Sequence, residues 1–205
     1  MRPLLIALLT WCGILSLNPG LPEPEPVAQS SEEARLRSLL EGRDRQIKAI
    51  LGPRGTTPTS EQRERLKKVL TELMDFEAMA RMALGAWWGR ISPEERARFV
   101  AVFRQVIEEN SLKDLDIYRA RVSYEAVRVS GDSAYVETRA TLERTTVRVD
   151  YVLRKRGASW LIVDYLLDGV STAQSYRRSF EPVLRTRGFN YLLERLQRRA
   201  RSASS

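Results

Sequence analysis

The hydrophobic period of this chain changes from 3.6 residues to two at Val122 and returns to 3.6 after Gly169-Val170-Ser171. That switch restricts the fold more than any other feature, because a period of two is compatible with strands and not with helices. Four alternating runs follow one another: VSYEAVRV, AYVETRAT, TTVRVDYVLR and WLIVDYLL. They are joined through Ser130-Gly131-Asp132, Glu143-Arg144 and Arg156-Gly157-Ala158. Connections this short can only make sequential antiparallel neighbours. In the third run Val147, Val149, Tyr151 and Leu153 share one face, with Arg148 and Asp150 on the other. One face is therefore expected to meet a core and the other to meet water.

Helices account for the rest. Ser30 and Ser31 can cap a helix carrying Leu36, Leu39, Leu40, Ile47 and Ile50, which Gly52-Pro53 should end. Thr59 and Gln62 have capping-box spacing before Leu66, Val69, Leu70 and Leu73. Asp75 can start a third helix with Phe76, Met79, Ala80, Ala83 and Trp87 on one face. Ser92-Pro93-Glu94-Glu95 combines a capping hydroxyl, an early proline and a returning glutamate ahead of Phe99, Val102, Phe103 and Val106. After the strands a helix carries Ala173, Tyr176, Phe180, Val183 and Leu184, and Pro182 is expected to kink or restart it. A last helix carries Phe189, Leu192, Leu193 and Leu196. The predicted architecture is α+β: a curved antiparallel sheet of about four strands packed against several helices.

The N-terminus reads as an address. Arg2 precedes an apolar run from Leu4 to Leu17, shorter than the ~20 residues a spanning helix needs. A proline-rich leader follows, and small residues at Ala28 and Ser30 permit cleavage before Ser31. The expected division is a signal peptide and leader over 1–30 and a single domain over 31–205. The one cysteine, Cys12, falls in the removed part, where Trp11 before it argues against lipidation. The mature chain would then lack thiols, which suits an oxidising compartment. There is no histidine, which removes the Ser-His-Asp and Cys-His arrangements and the His-based metal motifs. The formal charge of +8 points to anionic lipid or acidic protein, and export argues against nucleic acid.

The segments FEAMARMALGAWWGRISPEERARFVAVFRQVIE and VRVDYVLRKRGASWLIVDYLLDGVSTAQSYRRSFEPVLRTRGFNYLLERL carry a resemblance. With Ala83-Leu84-Gly85 and Trp88, the Phe99–Phe103 helix, Trp160, Asp164, Gly169-Val170-Ser171, Tyr176-Arg177 and Phe180, they make the chain similar to the MlaC family of toluene-tolerance, or auxiliary phospholipid-transport, proteins. Pro182 and the long leader depart from the family pattern. The resemblance implies a monomeric periplasmic carrier with no cofactor, whose cargo is a phospholipid held in an apolar cavity between sheet and helices. It implies two partners: an inner-membrane ABC transporter complex with an MCE-domain protein, and an outer-membrane lipoprotein and porin complex. Such a shuttle would maintain outer-membrane lipid asymmetry, and cargo could be a glycerophospholipid or a hopanoid-like lipid.

The periodic faces nominate Phe76, Met79, Trp87, Phe103, Val147, Val149, Tyr151 and Trp160 as cavity wall, although core and wall are chemically alike. Arg177, Arg178, Arg185 and Arg187 in the final helices nominate a docking surface; each could equally be solvated or paired with acids. Two other function classes stay open. A cavity-type isomerase or hydrolase-like enzyme could recruit Asp164 and Tyr151, and a structural envelope adaptor would fill the cavity with its own side chains. A carboxylate such as Asp164 more often bonds backbone amides or an arginine near a helix start. Ser171 is expected to cap the following helix; Gly-Val-Ser lacks the flanks of a nucleophile elbow. The expectation is a carrier, not an enzyme, with no catalytic or metal-binding residues.

Overall fold

The computed structural model describes residues 31–203. Its elements are α1 (Ser31–Leu51), α2 (Ser60–Thr71), α3 (Phe76–Leu84), α4 (Pro93–Ser111), β1 (Arg121–Ser130), β2 (Ser133–Leu142), β3 (Thr145–Arg156), β4 (Ser159–Leu167), β5 (Val170–Ser171) and α5 (Thr172–Ala203). The strands form one antiparallel sheet in the order β1-β2-β3-β4-β5. No helix among the described residues is long and apolar enough to cross a membrane. The signal-peptide expectation and Cys12 lie outside the described residues.

Helix starts follow the capping chemistry. Thr59 and Gln62 form a reciprocal capping box on α2, and Ser92 and Glu95 form one on α4. The Asp75 carboxylate accepts from the Ala78 amide at 3.0 Å and starts α3. Each such cap satisfies amides that the first helical turn leaves unpaired. At the C-terminal end of α1 it is carbonyls that need partners, and Arg119, on the short 3-10 turn Asp116–Arg119, supplies them. Its guanidinium donates to the carbonyls of Leu51 (3.0 Å), Gly52 (3.2 Å) and Thr56 (3.0 Å) and pairs with Asp116.

Three expectations need correction. α3 stops at Leu84, and Gly85–Arg90 continues as a 3-10 turn, so Trp87 does not extend the apolar face of α3. Gly85, at φ 54° and ψ −128°, takes the chain out of the α-helix there. The final helix is broken at Gly188 (φ 80°, ψ 178°), not at Pro182. Such a backbone is essentially open only to glycine, whereas proline costs a helix one hydrogen bond and a steric adjustment. The sheet also gains a fifth strand, two residues long, where the chain turns back on β4 before α5.

The core has three parts. Leu36 and Leu40 of α1 pack on Val127, Ala134, Val136, Leu153, Trp160 and Ile162 of the sheet. α3, α4 and α5 pack together through Met79, Phe99, Phe103, Phe180 and Leu192. A smaller cluster of Ile50, Leu51, Leu66, Val69 and Leu115 ties α1 to α2 and the segment before β1. The opposite sheet face carries a charge ladder: Arg128 on Glu137 at 2.7 Å, Arg139 on Glu125 at 2.9 Å, and Arg148 with Tyr135 on buried Asp150.

Candidate functional site

Strand register divides the core-facing side of the sheet into rows. One row runs Val127–Val136–Tyr151–Tyr165, the next Tyr124–Thr138–Val149–Leu167, and the last Val122–Ala140–Val147. α1 covers the sheet on the near side of the first row, where Val136 and Leu153 have no exposed surface. Beyond it the cover thins, although Thr138 in the second row stays buried. Val122, Ala140, Leu142, Val147 and Val149 are all half-buried, and Leu167 is 47% exposed. One continuous sheet face is therefore dry at one end and an open apolar trough at the other.

Tyrosines mark the boundary. Tyr124 and Tyr151 pack against the α1–sheet core, and Tyr165 packs against the helical core. Burial pushes the hydroxyls of Tyr151 and Tyr165 up to about 12 and raises that of Tyr124. Tyr118, beside the Arg119 clamp, is close enough to Tyr151 and Tyr165 to disfavour their phenolates further. Yet Tyr118, Tyr124, Tyr151 and Tyr165 keep some accessible surface. All four are held largely away from water without being fully covered. The tyrosines thus stand where the covered core gives way to the partly exposed apolar end of the sheet face.

This arrangement sets a pH dependence. The unfolded chain binds the Tyr151 and Tyr165 protons less tightly than the folded one, so stability is full below about pH 10 and falls as pH rises towards about 12. Ultraviolet titration of phenolate should find at least two tyrosines still protonated near pH 11; all seven titrating near 10 would contradict the enclosed placement.

The residues nominated from sequence separate on this geometry. Val147, Val149 and Tyr151 lie on the trough. Trp160 lies on the same face at the dry end, under α1, where its indole donates to Glu32 at 2.9 Å. Phe103 and Met79 have no exposed surface and Phe76 has 8%; all three are packed into the α3–α4–α5 core. Phe103 stacks at 5.6 Å on Phe99 and meets Tyr176 edge-on at 5.0 Å. Trp87 is half-buried on the helical side, with the Arg90 guanidinium 5.3 Å from its ring centre. Tyr124, Tyr165, Val122, Ala140 and Leu142 are trough residues the sequence reading did not nominate. For Ala140 and Leu142 the signal existed, because the two-residue turn at Glu143-Arg144 fixes which β2 residues share the Val147–Val149 face.

The MlaC protein family model matches residues 44–198. The chain belongs to the MlaC family. Its fold also superposes, with a TM-score of 0.71, on a phospholipid-binding protein from Ralstonia solanacearum that was solved at 1.53 Å in complex with a phospholipid. The two are 19% identical, and the match covers 86% of this chain and 100% of that one. The fold is thus shared at low sequence identity.

In this MlaC-family chain Asp164 and Tyr151 do not converge. Tyr151 stands opposite Tyr165 on the trough face, and Asp164, one residue earlier on β4, points the other way. Its carboxylate accepts from the Tyr165 amide at 2.9 Å, the Ala173 amide at 3.0 Å and the Ser171 hydroxyl. Ser171 in turn accepts from the Gln174 amide at 3.0 Å, capping α5. Asp164 therefore ties β4 to the start of α5. The arginines separate too. Arg177 and Arg185 line one pocket on the helical side. Arg178 donates to the Ser175 hydroxyl at 2.9 Å, and Arg187 lies over the Tyr191 ring.

Proposed function

We propose that this protein is a periplasmic phospholipid carrier, with residues 1–30 removed on export and residues 31–205 acting as one lipid-binding domain. The observation that carries the reading is the trough: an apolar sheet face left only partly covered at one end and bordered by Tyr124, Tyr151 and Tyr165. An acyl chain laid along it exchanges water for hydrocarbon at about 0.8 kcal/mol per methylene, so long chains bind tightly with few polar contacts. We place the wall on Val122, Tyr124, Ala140, Val147, Val149, Tyr151 and Tyr165. Membership of the MlaC family and the phospholipid in the Ralstonia structure support the cargo class. The carrier accepts or delivers lipid at an inner-membrane ABC transporter complex with an MCE-domain protein, and at an outer-membrane lipoprotein and porin complex. It thereby maintains outer-membrane lipid asymmetry.

Cargo should then support the fold. A ligand that binds only the folded state stabilises it by mass action, and an emptied trough forfeits the dispersion contacts of its wall. Delipidated protein is expected to melt several degrees lower than loaded protein and to regain the difference when phospholipid is restored. Identical melting curves for the two forms would count against a lipid site.

A further inference from the structure

The helical side carries a second recess, of about 240 Å³, lined by residues of α3, the Gly85–Arg90 turn and α5, with none from the sheet. Three arginines converge on it, Arg90, Arg177 and Arg185, against one acid, Glu181. Its floor is apolar, with Ala83 and Leu84 from α3 and Leu184 from α5 all buried. Trp87 stands at its side, half-buried.

Two features set these arginines apart from the rest of a basic surface. Many other arginines are paired, as Arg43, Arg104, Arg128, Arg139 and Arg156 are. Arg177 and Arg185 flank Glu181 at four-residue spacing on α5, which ordinarily favours ion pairs. Yet neither is within ion-pair distance of an acid among the described residues. Gly85 also makes room for Arg177. A Cβ built on Gly85 would lie 2.8 Å from the Arg177 Nε, and the backbone there already has φ +54°. The guanidinium occupies the place a side chain would take.

We propose that this recess is a protein-docking site for an acidic segment of a partner. A carboxylate of that segment would meet the Arg90, Arg177 and Arg185 guanidiniums while an adjacent apolar side chain seats on Leu84 and Leu184 against Trp87. The chemistry favours this occupant. Guanidinium forks match carboxylates in geometry, and tryptophan and arginine at an apolar pocket are the usual anchors of protein interfaces. The volume is below the ~300 Å³ at which small-molecule sites begin, and suits one or two side chains. The proposal deepens the carrier reading, since a carrier must dock to unload. It rests on that reading for the biological role of the partner, not for the site.

The test is an NMR titration of isotope-labelled protein with an end-blocked Leu-Glu-Glu-Leu-Glu-Glu-Leu peptide, with the lysine analogue as control. Salt is set at about 0.15 M, where exposed charges are screened beyond ~8 Å. Shifts should concentrate at the Trp87 indole and the Gly85 amide with the acidic peptide only. The double reversal Arg177→Glu/Arg185→Glu should weaken binding on the order of tenfold, the loss expected when a charge pair at an interface is broken. Ala86→Glu, at an exposed position on the rim, places a competing carboxylate in the recess and should do the same with every arginine present. It carries the test if the double variant does not fold. Shifts scattered over the basic surface, or unchanged affinity in a folded variant, would overturn the proposal. So would a double reversal that abolished binding to phosphatidylglycerol vesicles but spared the peptide, which would make the face a membrane contact. Lipid content is measured on the same samples. Its absence would end the carrier reading and leave the peptide result standing.

Discussion

Val149→Trp is expected to weaken lipid binding on the order of tenfold, and so to lower lipid content, while leaving the protein folded. Val149 sits in the middle row of the trough between Thr138 and Leu167 and keeps accessible surface. An indole there occupies space otherwise open to an acyl chain. Displacing two methylenes at about 0.8 kcal/mol each weakens binding on the order of tenfold. Overpacking a filled core costs typically 1–3 kcal/mol, but a half-open position has room to absorb the ring. The contrast is Val136→Trp, on the same sheet face one row away, where the side chain has no exposed surface. That variant should lose stability without a specific loss of lipid. Mass-spectrometric lipid content and urea denaturation of both variants read the two effects apart. Unchanged lipid in folded Val149→Trp would remove this position from the wall.

Asp164→Ala should have the opposite signature. Asp164 is 6% exposed, and its carboxylate accepts from two amides and a hydroxyl where β4 meets the start of α5. Hydrogen bonds to a charged group contribute about 1.5–3 kcal/mol each, and a buried donor left unpaired costs more than a bond never made. The expected loss is roughly 3–5 kcal/mol in urea denaturation, allowing for non-additivity. Asp164→Asn keeps one acceptor oxygen and should lose about half as much. Lipid content per folded molecule should not change in either variant. A near-wild-type stability with altered cargo would mean that Asp164 acts in the site and not in the scaffold.

These contrasts follow from what the residues could and could not reveal. Strand boundaries and helix caps were legible because they depend on neighbours in sequence. The Thr59–Gln62 and Ser92–Glu95 boxes formed, and the four long strands fell on the four alternating runs. Ser171 and Asp164 took the structural roles expected of a capping hydroxyl and a buried carboxylate. The end of α3 was harder, because Gly85 could have been carried within a helix at modest cost. Only its positive φ and the close approach of Arg177 show why the chain turns there. Pro182 was the stronger warning in sequence, yet Gly188 is where the backbone leaves the helix.

The site itself was only half legible, for a physical reason. Period and hydrophobicity identify which side of a strand avoids water, but not whether another element covers it. Val136 and Val149 are the same residue type on the same sheet face, yet Val136 is packed in the α1–sheet core and Val149 is left half-buried. Phe103 and Met79 looked equally suitable as wall and are instead held in the packed interior of the helices. Tyr151 was nominated from its face, but Tyr124 and Tyr165 were passed over because an aromatic in a strand is ordinary. What sets them apart is that burial suppresses their ionisation although none is fully covered.

Native mass spectrometry of the purified full chain, followed by organic extraction and lipid analysis, tests the carrier reading most directly. The reading predicts a mass excess that disappears on extraction and is identified as phospholipid, with phospholipid rebinding to the stripped protein. A protein that purifies at its bare mass and takes up no phospholipid from vesicles would contradict it.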